Sequence, residues 1–87
     1  MARPPDPPAR LPIISGDQAI KAFQRAGWTV RRQVGSHVTL DKDDTIVTLS
    51  VPRHRELDKG LLRGLIRDSG LSVSKFLGLL RKGPRRG

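Results

Sequence analysis

The spacing of apolar residues changes at Gly27, and this change limits the chain to folds that mix helix and strand. Before it, Ser15–Gln18 matches a capping box, in which a serine hydroxyl and a glutamine side chain satisfy free amides at a helix start. Apolar residues then recur at helical spacing, at Ala19, Ile20, Phe23 and Ala26. We predict a helix over residues 16–26, ended by Gly27. The β-forming run Trp28–Arg32 follows directly, so the chain passes from helix to strand without a linker.

Three runs rich in β-forming residues predict three strands, over Trp28–Arg32, His37–Leu40 and Thr45–Val51. Turn-forming residues separate them at 34–36 and 41–44, and Pro52 ends the third run. Such short links favour an antiparallel meander. Alternation directs one set of side chains to a core: Trp28, Val30, Val38, Leu40, Val47, Leu49 and Val51, with Arg32 at the edge. It directs another set to the outer face: Thr29, Arg31, Gln33, His37 and Thr39.

Two further helices are predicted after the strands. Asp58 is placed to cap one helix, whose apolar face comprises Leu61, Leu62, Leu65 and Ile66. Ser72 is placed to cap a shorter one, whose apolar face comprises Val73, Phe76, Leu77 and Leu80. The predicted class is α+β, with the helices packed on one face of a three-stranded antiparallel sheet. The other face, which carries His37, is expected to stay open.

The 87 residues are expected to form one folded domain over residues 15–80. Residues 1–14 form a proline-rich extension, since five of the seven prolines lie in residues 1–12. Leu11, Ile13 and Ile14 are expected to pack where this extension meets the domain. Residues 81–87 form a basic tail. Both terminal segments are expected to be flexible.

Charge favours contact with nucleic acid. Of the net +9, the two terminal segments carry +5, from six basic residues and one acid, and residues 15–80 carry +4, from 11 basic and 7 acidic residues. Such charge attracts RNA or DNA phosphates, although it can also serve solubility alone. The chain has no cysteine, no apolar run of the roughly 20 residues that span a bilayer, and no signal-peptide core. We therefore expect a soluble cytoplasmic protein without a membrane partner.

Four blocks of residues occur in the order and spacing of a known family: Gly27-Trp28, Gly35-Ser36-His37, Val51–His54, and Lys59–Arg63 continuing to Gly70–Ser72. Together they span about residues 15–80, and the chain resembles the HicA toxins, also called YcfA-like. The resemblance implies the α-β-β-β-α fold of double-stranded-RNA-binding domains, in agreement with the element order predicted above. It also implies a ribosome-independent mRNA interferase, neutralised by a HicB antitoxin.

The histidine of the family's Gly-Ser-His block is taken as catalytic and maps onto His37. Leu61 departs from the family pattern, because many members have threonine there. This departure and the two terminal segments bear on substrate preference more than on fold.

The residues suit RNA cleavage because RNA carries its own nucleophile, the 2′-hydroxyl. Such a site needs a group that titrates near neutral pH and positive charge around the phosphate, but no metal-bound hydroxide. Histidine has an unperturbed pKa of about 6.5, so His37 is the candidate general base or acid for cleavage of single-stranded mRNA. The candidate groups for neutralising the phosphate are Arg31, Arg32, Arg53 and Arg55.

Ser36 either orients the phosphate or only stabilises its turn. His54 is a general acid, a phosphate ligand or a surface residue. The acidic cluster Asp41, Asp43 and Asp44 has the composition of an ordinary turn, and no zinc, P-loop or dinucleotide pattern occurs. We therefore expect neither a metal nor a small-molecule cofactor.

Two non-catalytic alternatives remain. A double-stranded-RNA-binding module typically sets a lysine cluster at the start of its second helix, whereas this chain has only Lys59 there. A protein-interaction module would use the open sheet face and the helices only to hold a HicB-like partner. An active toxin also needs its partner to cover the site, so this function and catalysis are compatible.

Overall fold

The computed structural model describes residues 11–81. The elements are α1 (Gly16–Arg25), β1 (Thr29–Val34), β2 (His37–Asp41), β3 (Leu49–Pro52), α2 (Lys59–Ser69) and α3 (Val73–Arg81). This order and the antiparallel sheet confirm the predicted α+β fold of the double-stranded-RNA-binding-domain type. The predicted extension up to residue 10, and the predicted tail from residue 82, lie outside the described residues. Of the helices within residues 11–81, none combines the length and apolarity that a membrane crossing requires.

Each helix starts at the polar residue predicted to cap it. The Ser15 hydroxyl accepts the Gln18 N–H at 3.1 Å, and the Gln18 side chain accepts the Ser15 N–H at 2.9 Å, which completes the capping box. The Asp58 carboxylate accepts the Leu61 N–H at 3.1 Å, and the Ser72 hydroxyl accepts the Lys75 N–H at 3.0 Å. These caps satisfy amides that have no partner inside their helices.

The sheet is a meander in the order β1-β2-β3. A two-residue turn, Gly35-Ser36, joins β1 to β2, and Gly35 has a φ of 60°. Glycine tolerates this left-handed value without steric cost, and a glycine at the first central position is typical of the type II′ hairpin turn. Val34 therefore lies opposite His37, and on the other side of β2 His37 lies opposite Pro52.

The core lies between the helices and one face of the sheet. The sheet contributes its buried side chains Val38, Leu40, Leu49 and Val51, and the helices contribute Ala19, Ile20, Ala22, Phe23, Leu62, Leu65, Ile66 and Phe76. Phe23 of α1 meets Phe76 of α3 with ring centroids 5.1 Å apart. Leu11 and Ile14 are also buried in this core as expected, whereas Ile13 is exposed. Helices thus cover one sheet face and leave the other open, as predicted.

The predicted strand Thr45–Val51 is wrong over its first half. β3 spans only Leu49–Pro52, because β2 ends at Asp41 and the last pair between the two strands joins Leu40 to Leu49. Residues 45–48 have the composition of a strand but find no partner on β2. Val47, predicted to face the core, is exposed, and Ile46 is 97% exposed.

A β-bulge in β1 changes which side chains share a face. Val30 pairs with Leu40 and Arg32 pairs with Thr39, so Arg31 is an extra residue. Paired residues project to the same face of a sheet. Simple alternation would put Arg32 on the side of Val30, but the bulge moves it to the face that carries Thr39. Val30 shares the face of the buried Leu40, as predicted, but it lies on an edge strand and is exposed rather than buried.

Leu61 was predicted on the apolar face of α2, but it is 39% exposed. The buried side chains of α2 are Leu62, Leu65 and Ile66. Leu61 precedes the first of them by one residue, which rotates it about 100° around a helix of 3.6 residues per turn. Its side chain therefore lies at the margin of the buried stripe.

Candidate active site

His37 begins β2 directly after the turn Gly35-Ser36, and it is exposed. Its neighbours across the sheet are Val34 on β1 and Pro52 on β3. Successive residues of a strand project to opposite faces, and the next residue, Val38, is buried beneath the helices. The imidazole of His37 therefore lies on the open face, where a ligand can reach it.

The second histidine of the described chain lies beside the first. The ring centroids of His37 and His54 are 6.4 Å apart, and the ring planes meet at 71°, edge towards face. The register explains this proximity, since Pro52, the last residue of β3, is opposite His37, and His54 follows Pro52 by only two residues. Two imidazoles distant in sequence therefore share one region of the open face.

The backbone that carries His54 is held by contacts from two directions. The Arg53 N–H donates to the Ser36 carbonyl at 2.6 Å, and the Gly16 N–H donates to the His54 carbonyl at 2.9 Å. Gly16 is the first residue of α1, and it packs so closely that an added Cβ would overlap the Pro52 carbonyl oxygen. The start of α1 and the hairpin turn thus fix the segment that follows β3.

The Arg53 side chain also helps to fix this segment. Its Nε lies 2.7 Å from Oδ1 of Asp17, and a second guanidinium nitrogen lies 3.3 Å from Oδ2, a two-pronged ion pair with α1. A third contact, at 3.3 Å, reaches the Gln33 side-chain oxygen. The hydrogen bonds from Arg53 lower the pKa of the Asp17 carboxyl, and the same bonds raise the pKa of Arg53. The guanidinium is therefore engaged in contacts within the protein.

The other candidate arginines fall into different positions. Arg32 lies opposite Thr39, which projects to the same face as His37, two residues or roughly 7 Å further along the strand. Arg31 instead pairs with Asp41, with Nε 3.1 Å from Oδ2, and Asp41 is four residues or roughly 13 Å from His37 along β2. Arg55 is exposed and directly follows His54. The structure thus places Arg32 on the sheet face of His37 and Arg31 away from His37, while the role of Arg55 at the phosphate remains a prediction.

Ser36 contributes its backbone to the site. Its carbonyl accepts the Arg53 N–H, and the neighbouring Gly35 carbonyl accepts the Gln33 side-chain amide at 2.9 Å. Both carbonyls of the turn are therefore tied to adjacent segments. These contacts use the backbone alone, so both roles of the Ser36 side chain, in stabilising the turn or contacting phosphate, remain predictions.

The acidic turn that follows Asp41 lies at the far end of β2 from His37. Asp41 itself is paired with Arg31. Over residues 11–81, no three His, Cys, Asp or Glu side chains gather in a way that could hold a metal ion.

Three residues that shape the site escaped the sequence analysis as site residues: Gly16, Asp17 and Gln33. Asp17 lies in the first turn of α1, where a carboxylate complements the helix dipole, so its place in the sequence indicates only a role in the helix. Gln33 was assigned to a water-facing position. No local pattern indicates that Gly16 meets Pro52, since that contact depends on how α1 lies against the end of β3.

A comparison with known families now bears on this geometry. A family model described as "HicA toxin of bacterial toxin-antitoxin" matches residues 16–71, which are 56 of the 87 residues and include both histidines. The chain belongs to the HicA toxin family. A comparison with curated proteins finds no match to the chain.

Proposed function

We propose that the protein is a metal-independent endoribonuclease, an mRNA interferase, in which His37 is the proton-transferring catalytic group. The observation that carries this proposal is the exposed imidazole of His37 at the start of β2, on the sheet face that the described helices leave open. The chain belongs to a toxin family, and a histidine on the open sheet face of a domain with net positive charge suits attack on RNA.

The cleavage requires few groups from the protein, because the RNA itself supplies the nucleophile. Neutral His37 accepts the proton of the RNA 2′-hydroxyl while the 2′-oxygen attacks the adjacent phosphorus. The bond from phosphorus to the 5′-oxygen breaks and that oxygen takes up a proton from water or a neighbouring acid, so the products are a 2′,3′-cyclic phosphate and a strand with a 5′-hydroxyl. General base catalysis of this kind typically contributes about 10²–10⁴-fold to the rate.

The positive charge for the phosphate comes from Arg32 and Arg55 in this proposal. Arg32 shares a sheet face with His37 through its pairing with Thr39, and Arg55 follows His54 on an exposed link. Arginine suits this role because its planar guanidinium donates two parallel hydrogen bonds to phosphate oxygens. Arg53 supports the site indirectly, through its ion pair with Asp17.

The proposed partner is a HicB-like antitoxin that covers the open face. Val34 supports such a contact, because it lies opposite His37 and is 65% exposed. A partner that buries Val34 would also block access of RNA to His37. The same observation favours the second candidate function, a non-catalytic protein-interaction module of this fold.

Cleavage of RNA in EDTA separates the two functions. Purified protein should cut single-stranded RNA without a divalent metal, His37→Ala should abolish cleavage, and Thr39→Ala, on the same sheet face, should retain it. Induced expression should likewise arrest bacterial growth for the wild type and not for His37→Ala. Equal cleavage by both proteins would remove His37 from the proposed role. If the wild type neither cuts RNA nor arrests growth, the interaction module is the better account.

A further inference from the structure

We propose that His54 is a second catalytic residue, the general acid that protonates the leaving 5′-oxygen while His37 acts as the base. This inference rests on the proposed ribonuclease function and adds a residue to it. The observation behind it is the placement of the two imidazoles on one face, with centroids 6.4 Å apart and planes at 71°.

The separation suits two proton transfers at one phosphate. A catalytic acid or base must come within about 2.6–3.2 Å of the oxygen whose proton it transfers. The attacking and leaving oxygens lie on opposite sides of the same phosphorus. Rings that are 6.4 Å apart and not stacked leave room for a phosphate over both, with each imidazole at its own oxygen.

The position of His54 is more constrained than an exposed loop residue requires. The His54 carbonyl accepts the Gly16 N–H at 2.9 Å, and the preceding Arg53 is held by Ser36 through its backbone and by Asp17 through its side chain. Proton transfer depends on geometry, so a catalytic group benefits from a backbone fixed by its surroundings. These contacts all act on the backbone of 52–54 or on Arg53, and they leave the His54 imidazole available to a ligand.

The proposed step balances in protons and bonds. The 2′-oxygen loses its proton to neutral His37 and forms a bond to phosphorus. The bond from phosphorus to the 5′-oxygen breaks, and that oxygen receives a proton from the imidazolium of His54. One imidazole gains a proton and the other loses one, so the pair needs no metal and no further reactant.

The test compares two RNA strands that differ by one atom. After the preferred cleavage position has been mapped on ordinary RNA, the second strand carries sulfur in place of the 5′-oxygen at that position. A thiolate leaves without being protonated, so the loss of a general acid matters little for this strand. His54→Gln should slow cleavage of the ordinary strand by about 10²–10⁴-fold and leave cleavage of the sulfur strand little changed. His37→Gln should slow both.

The pH dependence gives a second readout that a merely structural role would not produce. A base that must be deprotonated and an acid that must be protonated together give a bell-shaped profile of kcat/KM. For His54→Gln, kcat/KM should no longer fall at high pH, but it should still rise with pH from the acidic side. The matched control is Glu56→Gln in the same exposed link, which should keep the wild-type rate and the bell.

The outcomes separate this inference from the function on which it rests. If the wild type cleaves neither strand, the ribonuclease function itself is wrong. If the wild type cleaves both strands and His54→Gln cleaves ordinary RNA equally fast, only the role of His54 is wrong. If His54→Gln slows cleavage of both strands equally, the acid role is also wrong. If His37→Gln cleaves the sulfur strand at the wild-type rate, His37 is the acid and the assignment of acid and base is reversed.

Discussion

Replacement of Gly16 by alanine would push the start of α1 away from the segment that carries His54. The added Cβ would overlap the Pro52 carbonyl oxygen and lie 2.8 Å from the Cα of Arg53. Both are backbone atoms, so rotation of a side chain cannot relieve the contact. The hydrogen bond from the Gly16 N–H to the His54 carbonyl would be lost as the helix start moves.

The size of the effect follows from three contributions. Overpacking typically costs about 1–3 kcal/mol, and loss of the backbone hydrogen bond adds about 0.5–1.5 kcal/mol. The preference of helices for alanine over glycine offsets at most about 1 kcal/mol. We therefore expect Gly16→Ala to lower the free energy of unfolding by about 0.5–4.5 kcal/mol, centred near about 2–3 kcal/mol, against a total of about 5–15 kcal/mol that is typical of natural domains.

Urea unfolding monitored by the fluorescence of Trp28, the single tryptophan and a buried one, measures this change. The matched control is Gly78→Ala in α3, where an added Cβ has nothing within 4 Å. This variant should be more stable than the wild type by about 1 kcal/mol. If Gly16→Ala unfolds at the wild-type urea concentration or above it while Gly78→Ala shifts as expected, the close contact between α1 and Pro52 is refuted.

Three further predictions concern stability. Phe76→Ala should lower the free energy of unfolding by about 3–5 kcal/mol, because the ring is fully buried. Leu61→Ala, at an exposed position, should change it by no more than about 0.5 kcal/mol. Equal urea midpoints for the two variants would contradict this difference. Ser15→Ala should cost about 1 kcal/mol through loss of the helix cap, measured in the same way, and no change would argue against the capping box. Arg53 lowers the pKa of Asp17 in the folded state, so the ion pair should stabilise above the unfolded pKa near 3.8 and lose its effect as pH falls through the lower folded value. The urea midpoints of wild type and Asp17→Asn should therefore differ at pH 7 and converge in acid, and a constant difference down to pH 2 would refute the linkage.

Local signals predicted the helices well because the residues that start each helix act within their own first turn. The Ser15 hydroxyl contacts Gln18, three residues away, so a short stretch of sequence contains the whole interaction. The hairpin was predictable for a similar reason, since Gly35-Ser36 determines its own turn.

The errors in the sheet concern interactions that depend on a partner strand. The run from Thr45 to Thr48 has β-forming residues, but a strand also needs a neighbour with free hydrogen-bonding groups, and β2 ends too early. The bulge at Arg31 leaves no mark in the spacing of apolar residues along the sequence, yet it places Arg32 on the sheet face opposite to that of Val30. Alternation alone could not reveal either effect.

In the candidate site, too, the features set by local sequence were predictable and those set by distant contacts were not. His37 could be singled out from its place after a predicted turn and from the family resemblance. The proximity of His54 depends on the register that places Pro52 opposite His37, and the long link between β2 and β3 hides this register from the sequence. The ion pair between Asp17 and Arg53 was likewise unpredictable, because it joins the first helix to the end of the last strand.

The chemical identity of the cleaved ends tests the central claim most directly. RNA of defined sequence is incubated in EDTA with wild-type protein, His37→Gln or Thr39→Ala, and the new termini are identified by mass spectrometry. The account predicts a 2′,3′-cyclic phosphate and a 5′-hydroxyl from the wild type and Thr39→Ala, and intact RNA with His37→Gln. A 5′-phosphate product, or unchanged cleavage by His37→Gln, would contradict it.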